Sequence, residues 1–592
     1  MKAQEVLKKY IFLMTSEDHD VRVSVEPDRF DIPDAERDDA YEINVKEAKG
    51  EIVASNKRAA LIAAYHLLRA CGCGFTRPGE SGEVIPSCSR VDISAALSVK
   101  NAHRFRGICI EGTVSLDVAL DLLEWMPKVG LNSYFMQFME GYEFFERYYS
   151  GEKNPTRTAT DFNLGVCRGI VRKIVHKAKE LGLMYHGVGH GFTCECYGVP
   201  GFGWDAMPDS WPKEHIDDLA LLGGKRALRW DVPLLTALCY SNKKVQRKIT
   251  EWAAEYIKEH SEFDYVHFWL DDGHQNKCEC ENCRDVRISD WYIQLLNELD
   301  ERLTEKGIGT KVVFLVYHET LWAPEREVLK NPSRYTFMFA PIQRSCGEVL
   351  GDVGDAPKPK PYTLNNQPLP KSNMEMISFL KPWNEYRQKT NMDMSDSFDF
   401  DYYFNRFDDP GQFKASRIVY DDILALRKNG LNGIINCQSQ RLFAHAALPM
   451  NVYAAALLQP ERAFDDIVDE FFSGAFGKRN AGIFRRYFET LTEESLCLRN
   501  RGNDGDSLEE LEAILNAPLP DFEIDCLGEA ESVRLLRFTR SLYLEICKSI
   551  SVNRAGDKEK SDEIWREIKK YGAEKEKEFE MAFENYYFRA PR

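Results

Sequence analysis

No stretch of this chain is long and apolar enough to read as a membrane span. Its first residues, Met1-Lys-Ala-Gln-Glu-Val-Leu-Lys-Lys-Tyr-Ile-Phe-Leu-Met14, lack the apolar core and small-residue cleavage site of a secretory leader. A cytoplasmic location is the expectation. No glycine-rich loop follows any strand-like run, which counts against a nucleotide-binding fold. Internal repeats are absent too. Basic residues are the minority, 77 against 94 acidic, for a net charge of −17. Long-range repulsion of that sign argues against nucleic acid or an anionic membrane surface as partner. Disulfides are not expected in a reducing compartment, so the 16 cysteines should be thiols or metal ligands.

The 592 residues are 44 % hydrophobic and 12 % aromatic, enough for several cores. Three regions emerge. In residues 1–100, Tyr41-Glu-Ile-Asn-Val45 alternates as a half-buried strand and Arg58–Ala70 is strongly helical, which fits a small α+β domain. Residues 101–460 alternate strand and helix patterns. Eight strand candidates are Gly107–Ile110, Asn132–Phe138, Met184–Val188, Tyr265–Leu270, Lys311–Val316, Thr336–Phe339, Met392–Phe400 and Gly433–Asn436. Helical stretches between them end in Gly130, Gly182 and Gly430, the residue favoured just past a helix. Eight such units predict an α/β fold, a (β/α)8 TIM barrel; an open doubly wound sheet is the alternative. Residues 461–592 read as a helical region, with Ala555–Tyr586 a charged helix whose charges mark a solvated face.

In a barrel of this kind the C-terminal strand ends build the site. The fourth strand ends in Trp269-Leu-Asp271-Asp272-Gly273-His274. Adjacent carboxylates repel, so one tends to keep a proton, and a protonated acid beside a charged one suits glycosidic bond cleavage. A lone Asp-Asp is more often a cap or a salt-bridged loop. The other strand ends shift that balance. They supply Glu111, Gln137, His190, Tyr317, His318, Glu319, Arg344, Asp399, Asp401, Tyr402 and Asn436. Asp272, Asp271 and Glu319 are the candidate catalytic residues. Glu111, His190, Trp269, His274, Tyr317, His318, Arg344 and Asn436 are the candidate substrate-binding ones. The expected partner is an oligosaccharide or glycan, and no cofactor is required for such chemistry.

Cys278-Glu-Cys280-Glu-Asn-Cys283 comes next in the chain, and Cys194-Glu-Cys196 lies after the third strand. Four thiolates from neighbouring loops would hold a structural zinc, with the fourth ligand expected from the strand-three loop. The competing reading is a set of loop thiols with no metal.

Several of these segments resemble known groups. Tyr41-Glu-Ile-Asn-Val, Ile52-Val-Ala-Ser, Ala59-Ala-Leu-Ile-Ala-Ala-Tyr-His-Leu-Leu and Pro78-Gly-Glu resemble the small domain preceding the barrel in β-hexosaminidases and α-glucuronidases. Asp272-Gly, the cysteine cluster, Ser289-Asp-Trp-Tyr-Ile-Gln-Leu-Leu-Asn and Phe464-Asp-Asp-Ile-Val-Asp-Glu-Phe-Phe are similar to a bacterial family long filed as a domain of unknown function. Some of its members are endo-β-N-acetylglucosaminidases. The Asp271-Asp272 pair is similar to the paired aspartates of O-GlcNAc hydrolases and, with Asp in place of Glu, to the Asp-Glu pair of hexosaminidases. That resemblance implies that Asp271 orients a substrate acetamide, that Asp272 is the general acid/base, and that the reaction is substrate-assisted and retaining. Two alternatives stay open: another glycosidase, uronidase-like, with Glu319 as acid, or a silent carbohydrate-binding protein on the same scaffold.

Overall fold

The computed structural model describes residues 2–405, 407–494 and 505–588. Eight parallel strands close into a barrel in sequential order: Phe105–Glu111, Ser133–Gln137, Met184–Gly189, Tyr265–Phe268, Lys311–Val316, Tyr335–Phe339, Ser397–Asp401 and Gly433–Ser439. Pairing of the eighth strand with the first, Gly433 opposite Phe105 through Ser439 opposite Glu111, seals it. The fold is the expected α/β barrel. Strand seven starts at Ser397 rather than Met392, because the Asp393 carboxylate accepts from the Ser395 N–H and hydroxyl and turns the chain there.

Alternation along each strand sorts the side chains. Phe105, Cys109, Phe135, Tyr265, Trp269, Leu315, Met338, Phe398, Phe400, Ile435 and Cys437 pack inside the barrel as a core separate from the one beneath the helices. His186 and His267 also sit there, 3.1 Å apart, with His267 stacked on Phe135 and His186 on Tyr265. Burial pushes His186 down to about 3 and His267 well below its usual value, so both are neutral scaffold.

Ahead of the barrel lies a four-stranded sheet, ordered Asp20–Val25, Lys49–Ala54, Tyr41–Lys46, Ala95–Val99. Helix Lys57–Ala70, capped by the Asn56 side chain accepting from the Ala59 N–H, contributes eleven buried residues. This unit is riveted to the N-terminal end of the barrel by buried charges. Asp39 accepts from Arg58 and Arg106, and Asp38 from Arg104.

Helices Phe464–Glu494, Gly505–Asn516, Leu527–Arg554 and Lys558–Lys575 form the C-terminal region. The expected charged helix to Tyr586 stops at Lys575. Beyond that helix the chain is not a solvated face. Glu576 and Glu584 are buried, Glu576 on Arg441 and Glu584 on the Thr113 N–H. The tail therefore braces the loops after strands one and eight, at the C-terminal end of the barrel.

Candidate active site

At the C-terminal mouth of the barrel lies a cavity of about 230 Å³. Its walls carry six aromatic rings, Phe138, Trp204, Trp269, Tyr317, Phe400 and Tyr402, over an apolar patch of Met338, Ala340 and Ile342. Glu111, Gln137, His190 and Asp272 add polar side chains, and Leu315 and Cys437 complete the lining. Strands two and three kink at its edge, where Phe138 and Val188 take positive φ of 60° and 73° and the Phe138 N–H donates to the Val188 carbonyl. For a β-branched residue such as Val188 that backbone is strained.

Asp272 is held by three donors. Trp204 Nε1 donates to Oδ2 at 2.7 Å, the Tyr317 hydroxyl donates to Oδ1 at 3.1 Å, and His190 Nε2 lies 3.3 Å from Oδ1. The other histidine nitrogen, Nδ1, is 2.7 Å from the Leu270 carbonyl. A carbonyl only accepts, so Nδ1 carries a hydrogen. Nε2 and Asp272 Oδ1 must then hold one proton between them. Burial alone would lower the His190 imidazole; the Asp272 charge and hydrogen bond and the Leu270 carbonyl outweigh it and raise it. Burial likewise works against an ionised Asp272, but the His190 charge and the His190 and Trp204 bonds outweigh it and keep the carboxyl low. The proton therefore rests on His190. Burial, reinforced by the Asp272 charge, pushes Tyr317 well above its usual range and keeps it a donor.

Glu111, the second carboxylate of the cavity, accepts from Arg147 at 3.1 Å, from the Gly112 N–H at 3.0 Å and from Gln137 at 3.4 Å. Arg147 also binds Glu143, which burial pushes up to about 7.

Asp271 does not join Asp272. Leaving the strand, the chain turns, and the Asp271 carboxylate meets Lys277 Nζ at 2.7 Å, Asn276 Nδ2 at 3.1 Å, the Gly273 N–H at 3.2 Å and the Tyr240 hydroxyl at 3.2 Å. All its neighbours are donors, and it is absent from the cavity wall. Gly273 allows this turn through close approach rather than positive φ: a Cβ there would lie 2.1 Å from the Leu235 carbonyl oxygen. Glu319 is also outside the cavity. It is buried under His274 at 3.1 Å and the Gln275 N–H at 2.6 Å, with Lys277 at 3.9 Å. Burial opposes its charge, but Lys277 and His274 outweigh it and hold the carboxyl down at about 2. Glu319 is thus a fixed anion, which corrects its expected role as an acid.

His274 stacks on His318, rings 4.6 Å apart, above Glu319. His318 is pushed down to about 4 by burial and takes a bond from Gln343. Arg344 points away, pairing with Asp401 at 2.7 Å and Asp422 at 2.8 Å. Asn436 bonds the Tyr403 N–H and Gln438. The reason is register: Phe400, Ile435 and Cys437 face inward, so Asp399, Asp401 and Asn436 face the helices. Of the expected substrate-binding set, Glu111, His190, Trp269 and Tyr317 line the cavity; His274, His318, Arg344 and Asn436 do not. Trp204 is a site residue that strand periodicity does not mark. It sits in a long segment without strand or helix pattern, where Gly201-Phe-Gly-Trp is the only signal.

Cys278, Cys280 and Cys283 gather with Cys239, their sulfurs all within 4.8 Å of one another. Cys194 and Cys196, the expected source of a fourth thiol, are buried elsewhere, Cys194 donating to the Gly191 carbonyl and Cys196 to that of Thr193.

Among solved structures, a family 89 glycoside hydrolase from Clostridium perfringens, in complex with its substrate GlcNAc-alpha-1,4-galactose, is similar over 96 % of this chain and 65 % of its own, with TM-score 0.55 and 12 % identity. The chain thus spans just under two thirds of that protein's length. A family GH115 4-O-methyl-alpha-glucuronidase with specificity for decorated arabinogalactans is similar over 100 % of this chain and 78 % of its own, with TM-score 0.57 and 10 % identity. At such identity the likeness is one of fold. No curated protein matches in sequence. The family model described as a domain of unknown function, DUF4838, matches residues 171–489, more than half of the sequence and most of the barrel, and the chain belongs to that family.

Proposed function

We propose that this protein is a glycoside hydrolase whose cavity takes one terminal sugar ring. The observation that carries the reading is the His190–Asp272 pair, one proton shared in an aromatic-walled pocket with Glu111 as second carboxylate. Aromatic rings pack on the apolar face of a sugar, and the polar groups between them bond its hydroxyls. The proton held on His190 Nε2 passes to Asp272 and from it to the glycosidic oxygen as the C–O bond breaks, leaving His190 neutral and Asp272 ionised again. Glu111 acts at the anomeric carbon, as nucleophile if configuration is retained and as base for water if it is inverted. Asp271 has no part in this scheme, since Lys277 commits its carboxylate elsewhere. A retaining reaction assisted by the substrate's own acetamide would need that group held by Asp272, Tyr317 or Trp204 instead.

The proposed substrate is an N-acetylhexosaminide. Two observations favour it over a uronide. Among the described residues lining the cavity none is Lys or Arg, so the one cation a sugar carboxylate would meet there is His190. Met338, Ala340 and Ile342 offer an apolar patch suited to an acetamide methyl. A further solved relative, again the family 89 enzyme, holds 2-acetamido-1,2-dideoxynojirmycin. A cavity of about 230 Å³ also favours release of single residues over cleavage within a glycan. The test is a panel of α- and β-aryl glycosides of N-acetylglucosamine, N-acetylgalactosamine, glucose and glucuronic acid, with an N-glycan digest beside it. Turnover of an N-acetylhexosaminide is expected, with Asp272→Asn losing most on the N-glycan, whose poor leaving group needs the proton. Turnover of the glucuronide alone would overturn the substrate, and neither turnover nor binding of any sugar would overturn the enzyme.

A further inference from the structure

Between strand three and its helix the chain makes an excursion of some fifty residues, 190–242, with little regular structure. Long loops of this kind inside a compact domain need something to hold them. The main core takes in Leu219, Leu234, Leu238 and Tyr240 of its far end. There Ala220, Ala237, Cys239, Cys278 and Cys283 form a small cluster of their own.

We propose that Cys239, Cys278, Cys280 and Cys283 are the four thiolate ligands of a structural zinc ion that clamps this excursion to the loop after strand four. In a tetrahedral site with Zn–S bonds of about 2.3 Å, sulfurs lie about 3.8 Å apart. Cys239 and Cys280 are 3.7 Å apart, and all four sulfurs fall within 4.8 Å. The backbone already has the turn that such ligands need: the N–H groups of Cys283 and Arg284 both donate to the Cys280 carbonyl. The surroundings suit four thiolates on a dication, a net charge of −2. The Leu221 N–H donates to Cys278 Sγ at 3.3 Å. Such outer partners tune and orient metal ligands.

The clamp sits next to the cavity. Five residues before Cys239, the Leu234 carbonyl accepts from the Asp272 N–H at 3.0 Å, and the Leu235 carbonyl accepts from Asn276 at 2.6 Å. The same excursion carries Trp204 to Asp272. The four cysteines are therefore positioning residues: they fix the strand-four loop and the wall facing it.

The experiment uses the full chain purified without chelator. Elemental analysis should find about one zinc per chain, as one tetrahedral site demands. Cobalt substituted for it should show the intense sulfur-to-metal charge-transfer bands of a thiolate site. Cys239→Ser should lose the metal and melt lower, while Cys194→Ser and Cys196→Ser keep it. If Cys239→Ser does not fold, the cobalt spectrum of the wild type and the two control variants still decide. Little or no zinc, no charge-transfer band, and four thiols that react at once with a thiol reagent would overturn the site. So would mass-spectrometric detection of a Cys239–Cys280 disulfide in freshly prepared protein, or metal retained by Cys239→Ser and lost in Cys194→Ser.

Discussion

Two pairs of carboxylates flank the loop after strand four, and they differ in what surrounds them. Asp271 and Glu319 share Lys277, are buried, and face only donors. Asp272 and Glu111 line a cavity, and Asp272 shares a proton with a histidine. A buried carboxylate beside a lysine has its charge state fixed by that lysine. A carboxylate beside an imidazole can exchange a proton near neutral pH. Adjacency in sequence thus says little about function; the partner decides whether a carboxylate supports the loop or does chemistry.

The sharpest way to break this contrast is charge removal on each side. Asp272→Asn should lose about 10²–10⁴-fold in kcat on substrates with poor leaving groups while melting close to wild type. Lys277→Met should do the reverse. It leaves two carboxylates buried without their cation, and chemical denaturation should find a loss of about 3–5 kcal/mol. Equal stability in Lys277→Met would mean the pair is not held as described.

pH separates the pairs next. The folded Glu319 carboxyl, at about 2, lies below its unfolded value of about 4.3. Its contribution, on the order of 3 kcal/mol, is present above that unfolded value and is lost as pH falls through 4 towards 2. Glu319→Gln should flatten this acid limb, measured by urea midpoints across pH. His190 is shifted the other way. Its contribution is present below about pH 6.5 and is lost as pH rises through its raised folded value. Activity should fall over the same rise, and a pH–rate profile with no alkaline limb would rule out the shared proton.

Smaller effects sharpen the picture within the cavity. Tyr317→Phe and Trp204→Phe each remove one donor to a charged acceptor, a loss of about 1.5–3 kcal/mol, or roughly 10–100-fold in kcat/KM. Asn436→Ser removes hydrogen bonds made outside the cavity. Its cost should fall on stability, about 1 kcal/mol by chemical denaturation, with kcat/KM within about twofold of wild type.

Strand periodicity makes the barrel readable in the sequence, because a strand buried on both faces must be apolar over four to seven residues wherever it lies. It also puts Glu111, His190, Trp269, Asp272 and Tyr317 near one rim. It cannot say which way a side chain turns after its strand ends. Arg344, in the turn after strand six, goes to Asp401, and Asp271 goes to Lys277 because the chain bends at Gly273. Nor does it mark Trp204, whose excursion has no period to read.

The amino-acid sequence by itself determined that this is an eight-unit barrel with acidic, aromatic strand ends and a thiol-rich loop, since each of those is written in local pattern. Only the tertiary structure decided which carboxylates meet a cavity, that Cys239 rather than Cys194 or Cys196 completes the thiol cluster, and that the tail braces the rim. Those outcomes depend on contacts between residues tens to hundreds of positions apart, such as Asp272 with Trp204 or Thr113 with Glu584, and no local pattern encodes such a distance.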